Sequence, residues 1–294
     1  MTYAQVMVGH NGLKIRMMVA GSILFGFYAA IAGLVMLTFG TGTSVLALLL
    51  VGSVGFVGFQ YKFGKWMALR SVGAEDMPEH TDGRYNYGEI HRSVEKLSSE
   101  MDLEKPRLMV ADMGVPNAFA VGRRGAGVVV ISREIIDLLD YDELEGVIAH
   151  ELSHINNRDV VIMVLGQSIA SMVGIIVQWG YMLAGERNIA SYFIGMILGT
   201  VAQMIVMIFV MAISRYREYV ADEDAATYTR NPEAMARALE KISSGAKNKE
   251  MRGEETVNAL CIFGSGGSTL QKIFSTHPPT EKRIERLRSQ SVGY

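Results

Sequence analysis

Apolar and charged residues are segregated into long blocks along this chain. No residue from Met17 to Tyr61 carries a formal charge, and the stretches Val160–Gly185 and Asn188–Ser214 are equally charge-free. A helix of roughly 20 apolar residues crosses about 30 Å of hydrocarbon with its backbone polar groups satisfied internally. The first block is too long for one crossing, and the turn-rich Thr38-Phe-Gly-Thr-Gly-Thr-Ser44 divides it. It therefore predicts spans at 18–37 and 44–61, and the later blocks predict spans at Val160–Met182 and Ile189–Ile213. The competing reading of the last two, a hairpin buried in a soluble core, would call for polar faces that these runs lack. A cleavable signal peptide fits the first run badly, because a second run follows at once and no clear small-residue cleavage site is present.

Between the blocks the periodicity changes. Ile90, Val94, Leu97 and Met101 recur at helical spacing and predict an amphipathic helix over 87–101. Pro106–Ala111 predicts a short strand; Asn117–Gly122 and Gly127–Ser132 predict a strand pair around the turn Arg123-Arg-Gly-Ala126. Ser132 is placed to cap a helix from Arg133, and Asp140 a longer one from Tyr141 with Leu144, Val147, Ile148, Leu152 and Ile155. No stop signal stands between that helix and the third span, so the two are expected to run together or nearly so. After the fourth span, Arg215–Tyr228 is again helix-compatible, and Pro232 opens a helix with Met235, Leu239 and Ile242 on one face. Pro279–Ser289, dense in Glu, Lys and Arg, reads as a solvated surface helix. The glycine-rich Gly264-Ser-Gly-Gly-Ser268 lacks the lysine of a phosphate-binding loop.

Charge orients this arrangement. Lys14 and Arg16 precede the first span, Lys62, Lys65 and Arg70 follow the second, Arg158 precedes the third, and Arg215 and Arg217 follow the fourth. The opposite connections carry no charge or the balanced pair Glu186 and Arg187. Short basic flanks stay on the cytoplasmic side, so both termini and the polar body are expected in the cytoplasm, beneath a multi-pass cell membrane. The predicted architecture is an α-helical transmembrane protein with a cytoplasmic α+β domain. Its parts are 1–61 with two spans, 62–159 as the first polar part, 160–213 with two spans, and 214–294 as the second polar part. A formal net charge of −2 over 294 residues gives no reason to expect a nucleic acid partner. The single cysteine, Cys261, excludes an internal disulfide and a multi-cysteine metal knot, and reads as a small apolar residue.

The strongest local motif is His150-Glu-Leu-Ser-His154. On a helix its two histidines lie one turn apart on one face and can share an ion, while Glu151 projects about 100° away, beside the remaining coordination position. There it can take a proton from an attacking water. Catalytic zinc normally has three protein ligands and one open position. Glu186 falls across the membrane from His154, but antiparallel spans return Glu218 to the same height. Asp222 lies one turn beyond Glu218 and can accept a hydrogen bond from a ligating histidine. The inverse assignment, Asp222 as ligand and Glu218 as its support, stays open at this level, as does a plain salt bridge from Glu218 to Arg215 or Arg217. His10, His80 and His91 carry no comparable pattern.

Taken in order, Pro116-Asn-Ala-Phe-Ala-Val-Gly122, Ala149-His-Glu-Leu-Ser-His154, Ser214-Arg-Tyr-Arg-Glu-Tyr-Val-Ala-Asp222 and Ser275-Thr-His-Pro-Pro-Thr280, with two spans early and two late, resemble the HtpX-type membrane proteases. These are heat-shock-associated relatives of the CAAX prenyl endopeptidases, and the resemblance covers essentially the whole chain without departure at the motif positions. It implies a zincin-type metalloendopeptidase with one Zn2+ per chain, held by His150, His154 and Glu218, with Glu151 as catalytic base. It places Asp222 behind the ligands, His277 where it helps stabilise the reaction intermediate, and Asn117 in the strand lining the substrate cleft. Unfolded or damaged membrane proteins are the substrates it implies, in protein quality control. A prenyl-protein endopeptidase and a non-enzymatic scaffold stabilised by zinc are the alternatives; an intramembrane site is disfavoured by Arg158 and Asp159, which mark a surface boundary beside the motif.

Overall fold

A computed structural model describes residues 43–80, 83–184, 188–247 and 277–291. Their elements, in order, are α1 (Thr43–Ser71), β1 (Glu75–Asp76), α2 (Tyr87–Glu100), β2 (Arg107–Ala111), β3 (Ala118–Val121), β4 (Val128–Ser132), α3 (Arg133–Leu138), α4 (Tyr141–Asn156), α5 (Asp159–Ala184), α6 (Ile189–Thr229), α7 (Pro232–Lys247) and α8 (Thr280–Ser291). The expected span at 18–37, the Glu186–Arg187 connection, Cys261 and the Gly264–Ser268 break lie outside the described residues.

The described residues form two compact units. One comprises Gly64–Val161 together with the described residues from Ser214 onward. Its sheet runs β1-β2-β4-β3. β2 and β4 pair in parallel, from Arg107 opposite Val128 to Ala111 opposite Ser132, while β3 pairs antiparallel with β4 and forms an edge. β1, too short to be legible by alternation, pairs antiparallel with β2 at the other edge. One face of the sheet packs with α2, α3, α4 and α7 around Leu108, Val129, Ile131, Ile148, Leu152 and Leu239. The opposite face carries Met109, Phe119, Val128 and Val130 against the end of α1. Burial on both faces explains why β4 reads as an unbroken apolar run.

Local signals account for the helix starts. Ser132 accepts from the Ile135 backbone N–H at 3.1 Å and opens α3. Asp140 caps α4, and its own N–H donates to the Glu143 carboxylate at 3.0 Å. Asn231 accepts from the Ala234 N–H, with Pro232 at the first helical position of α7. Gly122 ends β3 at φ 107°, and a Cβ there would overlap the Ala126 carbonyl oxygen, so the β3–β4 turn needs glycine at that position.

Two expectations are sharpened and a third is corrected. α4 does not run on into α5: it stops at Asn156, and Arg158 takes a left-handed φ of 58° before α5 begins at Asp159. The fourth span and Arg215–Tyr228 are one helix, since nothing in Ile213-Ser-Arg-Tyr-Arg breaks α6. The closing helix is not simply solvated: Arg283 and Leu287 are each 1% exposed, and α8 packs along α7.

The second unit holds the described residues up to Phe63 and Ile162–Ile213. Among the described residues two helical segments, Asp159–Met182 and Ile189–Thr229, are long and apolar enough to cross a membrane. The expected span at 44–61 is the first part of α1, which continues to Ser71. α5 and α6 approach through glycines: a Cβ on Gly199 would overlap the Gly174 carbonyl oxygen. Their contact is filled by Ala170, Val173 and Val206. Ser168 Oγ lies within hydrogen-bonding distance of both the Gln60 side chain and the Val164 carbonyl, which share its one proton. Close backbone approach at small residues is the usual route to affinity between apolar helices. Gly199→Leu is therefore expected to lower the thermal stability of the detergent-purified protein by about 1–3 kcal/mol through overpacking, measured as an earlier unfolding transition.

Candidate metal centre

Three helices of the first unit deliver the site. α4 supplies His150, Glu151 and His154, α6 supplies Glu218 and Asp222, and α8 supplies Arg283, with His277 just ahead of it. α4 is buried along this face, with His150 fully inaccessible and Glu151 3% exposed. It is docked on α6 by a separate polar group: Ser153 donates to Asp224 at 2.5 Å, and Asn157 donates to both.

The two histidine Nε2 atoms converge to 3.2 Å. The Glu218 carboxylate faces them, Oε2 lying 3.6 Å from His150 Nε2 and Oε1 3.4 Å from His154 Nε2. Ligand atoms about 2.0–2.1 Å from a tetrahedral zinc lie about 3.4 Å from one another. His150, His154 and Glu218 thus present one face of such a tetrahedron, and among the described residues they form the group able to hold a metal ion. Of the two assignments left open by spacing, the one with Glu218 among the ligands matches this geometry. Asp222 sits behind, its Oδ1 3.0 Å from His150 Nδ1.

Electrostatics point the same way. Glu151, Glu218 and Asp222 are all buried, and within this group a single guanidinium, Arg283, opposes them. Burying such an excess of carboxylate is costly unless a cation compensates it. Burial alone would push His150 down, but the Asp222 and Glu218 carboxylates outweigh it and raise the imidazole to about 10. Burial likewise pushes Glu218 up, yet His277, His150 and Arg283 prevail and hold it well below the usual carboxylate range. Glu151 goes the other way: burial raises it, against the pull of His154 and His150. The pocket stabilises positive charge at His150 while keeping Glu218 anionic, and a divalent ion meets both demands.

His277 Nδ1 lies 2.9 Å from Glu218 Oε2, so this histidine reaches the group from just ahead of α8. Asn117 is placed by different bonds, one residue before β3. Its N–H donates to Ser132 Oγ at 3.0 Å, its carbonyl accepts from the Ser132 N–H, and its amide faces the Met113 sulfur. The edge strand β3 that follows it packs on α4.

Two participants were not legible as such. Arg283, hidden among the charges of Glu281, Lys282, Glu285 and Arg286, grips Asp222 with Nε and Nη2 at 2.8 and 2.7 Å and lies 3.3 Å from Glu218. Leu287, one turn on, was the available sign of a buried face. Asp159, read as a boundary charge, is 2% exposed and meets His154 Nδ1 at 2.7 Å. Arg217 pairs with Asp159 at 2.7 Å, so the plain pairing with Glu218 weighed from the sequence is not the one it makes.

The family model described as peptidase family M48 matches residues 85–291. A protein of Halobacterium salinarum named "Protease HtpX homolog" is 52% identical over 93% of this chain and 100% of its own length. One of Pyrococcus abyssi with the same name is 36% identical, covering 94% of this chain and 96% of the relative. Among solved structures, the crystal structure of S. mikatae Ste24p superposes with a TM-score of 0.51 at 17% identity, over 94% of this chain and 66% of that one, a likeness of fold.

Proposed function

The chain belongs to peptidase family M48, and from that premise we propose that it is a zinc-dependent endopeptidase of the HtpX type. The observation that carries the proposal is the convergence of His150, His154 and Glu218 at tetrahedral-edge distances, with Glu151 beside them on α4. A zinc ion held there would act as a Lewis acid toward the scissile carbonyl and the attacking water. Glu151 takes the proton as water attacks and returns it to the leaving amine. Its raised pKa suits a group that must both accept and release that proton. Asp222 holds the His150 ring from behind. His277, beside Glu218, helps hold the charge that develops on the carbonyl oxygen.

The substrate would be an extended, unfolded segment. β3 is an edge strand packed on the helix that carries the site, and an unpaired edge accepts another strand through backbone hydrogen bonds. With helices of membrane-crossing length in the same chain, this favours damaged or misfolded membrane proteins as substrates, cleaved at the cytoplasmic surface by a multi-pass protein with both termini in the cytoplasm.

Purified full-length protein in detergent should contain about one zinc per chain and cleave an unfolded, casein-like protein. Chelation should abolish cleavage, and added zinc should restore it. Undiminished cleavage by metal-free protein would overturn the proposal. Preference for a prenylated peptide over the unfolded protein would move the chain to the prenyl-endopeptidase reading.

A further inference from the structure

We propose that Asp159 is a positioning residue for the metal centre: its carboxylate fixes the His154 ring with Nε2 facing Glu218, and Arg217 holds Asp159 in place. This rests on the reading that His150, His154 and Glu218 bind a divalent ion.

A neutral imidazole carries one proton, and the partner of one nitrogen decides which lone pair the other offers. His154 Nδ1 lies 2.7 Å from Asp159 Oδ2, so Nδ1–H donates and the lone pair is left on Nε2. That atom is the one 3.4 Å from Glu218 Oε1 and 3.2 Å from His150 Nε2. The other Asp159 oxygen is 2.7 Å from Arg217 Nε, and both residues are buried. Arg217 directly precedes Glu218 on α6, so one helix supplies a ligand on one side of the His154 ring and the clamp on the other.

The backbone is shaped to allow this. On a continuous helix, position 159 would point about 140° away from position 154. Instead α4 stops at Asn156, Arg158 turns the chain through its left-handed conformation, and Asp159 starts α5 facing back to His154. A non-glycine residue held at positive φ beside a site is the kind of local strain that a fold retains for a purpose. The arrangement also repeats. His150 is backed by Asp222 and Asp222 by Arg283, as His154 is backed by Asp159 and Asp159 by Arg217. Partners of this type orient ligating histidines, and their loss typically weakens metal binding by about 10–100-fold.

A salt bridge that merely tied α5 to α6 would predict something different, and the test separates the two. Full-length protein in detergent is compared as wild type, Asp159→Asn and the double variant Asp159→Leu/Arg217→Met, which removes both charges and leaves neither unpaired. Zinc affinity is read by chelator competition, ligand geometry by the visible spectrum of the cobalt-loaded protein, and the fold by melting of the metal-free protein. The double variant should bind zinc about 10–100-fold more weakly, with altered cobalt bands and near-wild-type metal-free melting. Asp159→Asn, whose side-chain oxygen is a weaker acceptor, should fall between the two. Wild-type zinc affinity with an unchanged cobalt spectrum in the double variant overturns the proposal; if that variant does not fold, the same result in Asp159→Asn does so. A wild type that binds no zinc would overturn the metal reading, and this inference with it.

Discussion

Replacing Glu151 with glutamine should reduce peptide hydrolysis by about 10²–10⁴-fold, the usual contribution of a positioned acid–base group, while the zinc content of the protein stays that of the wild type. Glu151 is not one of the three groups that converge as ligands, so the metal has no reason to leave with its charge. Glutamine keeps the shape of glutamate but has no basic oxygen, so water is no longer deprotonated as it attacks.

Stability should not fall, because Glu151 is 3% exposed and replacing a buried carboxylate by a neutral amide relieves desolvation. The check is metal analysis, melting and turnover on the same preparations. Wild-type-like turnover in clean, metal-replete Glu151→Gln would remove Glu151 from the chemistry and reopen the question of the base.

What was legible in the sequence divides along a physical line. Periodicity speaks for elements long enough to repeat: α2, β2, β3 and β4 fall within a residue or two of their expected bounds, and α4 starts where expected. Caps are equally local, so Ser132 and Asp140 could be identified from their immediate neighbours. The histidine pair is a statement about one helix turn, and Glu218 comes within reach because two antiparallel apolar helices return to one height. β1 spans Glu75–Asp76 alone, too few residues for any alternation, and exists only by pairing with β2.

Charged residues behave otherwise, because nothing in a local window says whether a charge is solvated or matched. Asp159 and Arg217 both flank long apolar runs, where charge ordinarily marks a surface, yet they bury one another. The break at Asn157 and Arg158 is invisible in a local window for a related reason. Neither glycine nor proline forms it, and the left-handed residue is an arginine, held there by the structure on both sides. Such positions, where local preference is overruled, are where functional strain is expected.

Arg283 is the extreme case, and its replacement should be the most damaging to the fold among the site residues. Arg283→Leu is expected to destabilise the metal-free protein by about 3–5 kcal/mol, the usual cost of removing one partner from a buried ion pair. Asp222 and Glu218, 4% exposed each, would lose the guanidinium that now lies within 3.3 Å of both. The pH dependence carries the signature. In the wild type, burial pushes Asp222 up but Arg283 and His150 outweigh it, so its carboxyl is held below the ordinary value. A group depressed on folding contributes stability above its unfolded pKa, about 3.9 for aspartate, and loses it as pH falls through the folded value. Without Arg283 the desolvation of Asp222 is less opposed, and protonated Asp222 needs no counter-charge. The stability gap between variant and wild type should therefore be widest near neutral pH and narrow as pH falls toward about 4. Chemical unfolding of the metal-free proteins across that range measures it. A gap independent of pH would mean that Arg283 stabilises through packing of α8 alone, and that Asp222 draws its charge balance from elsewhere.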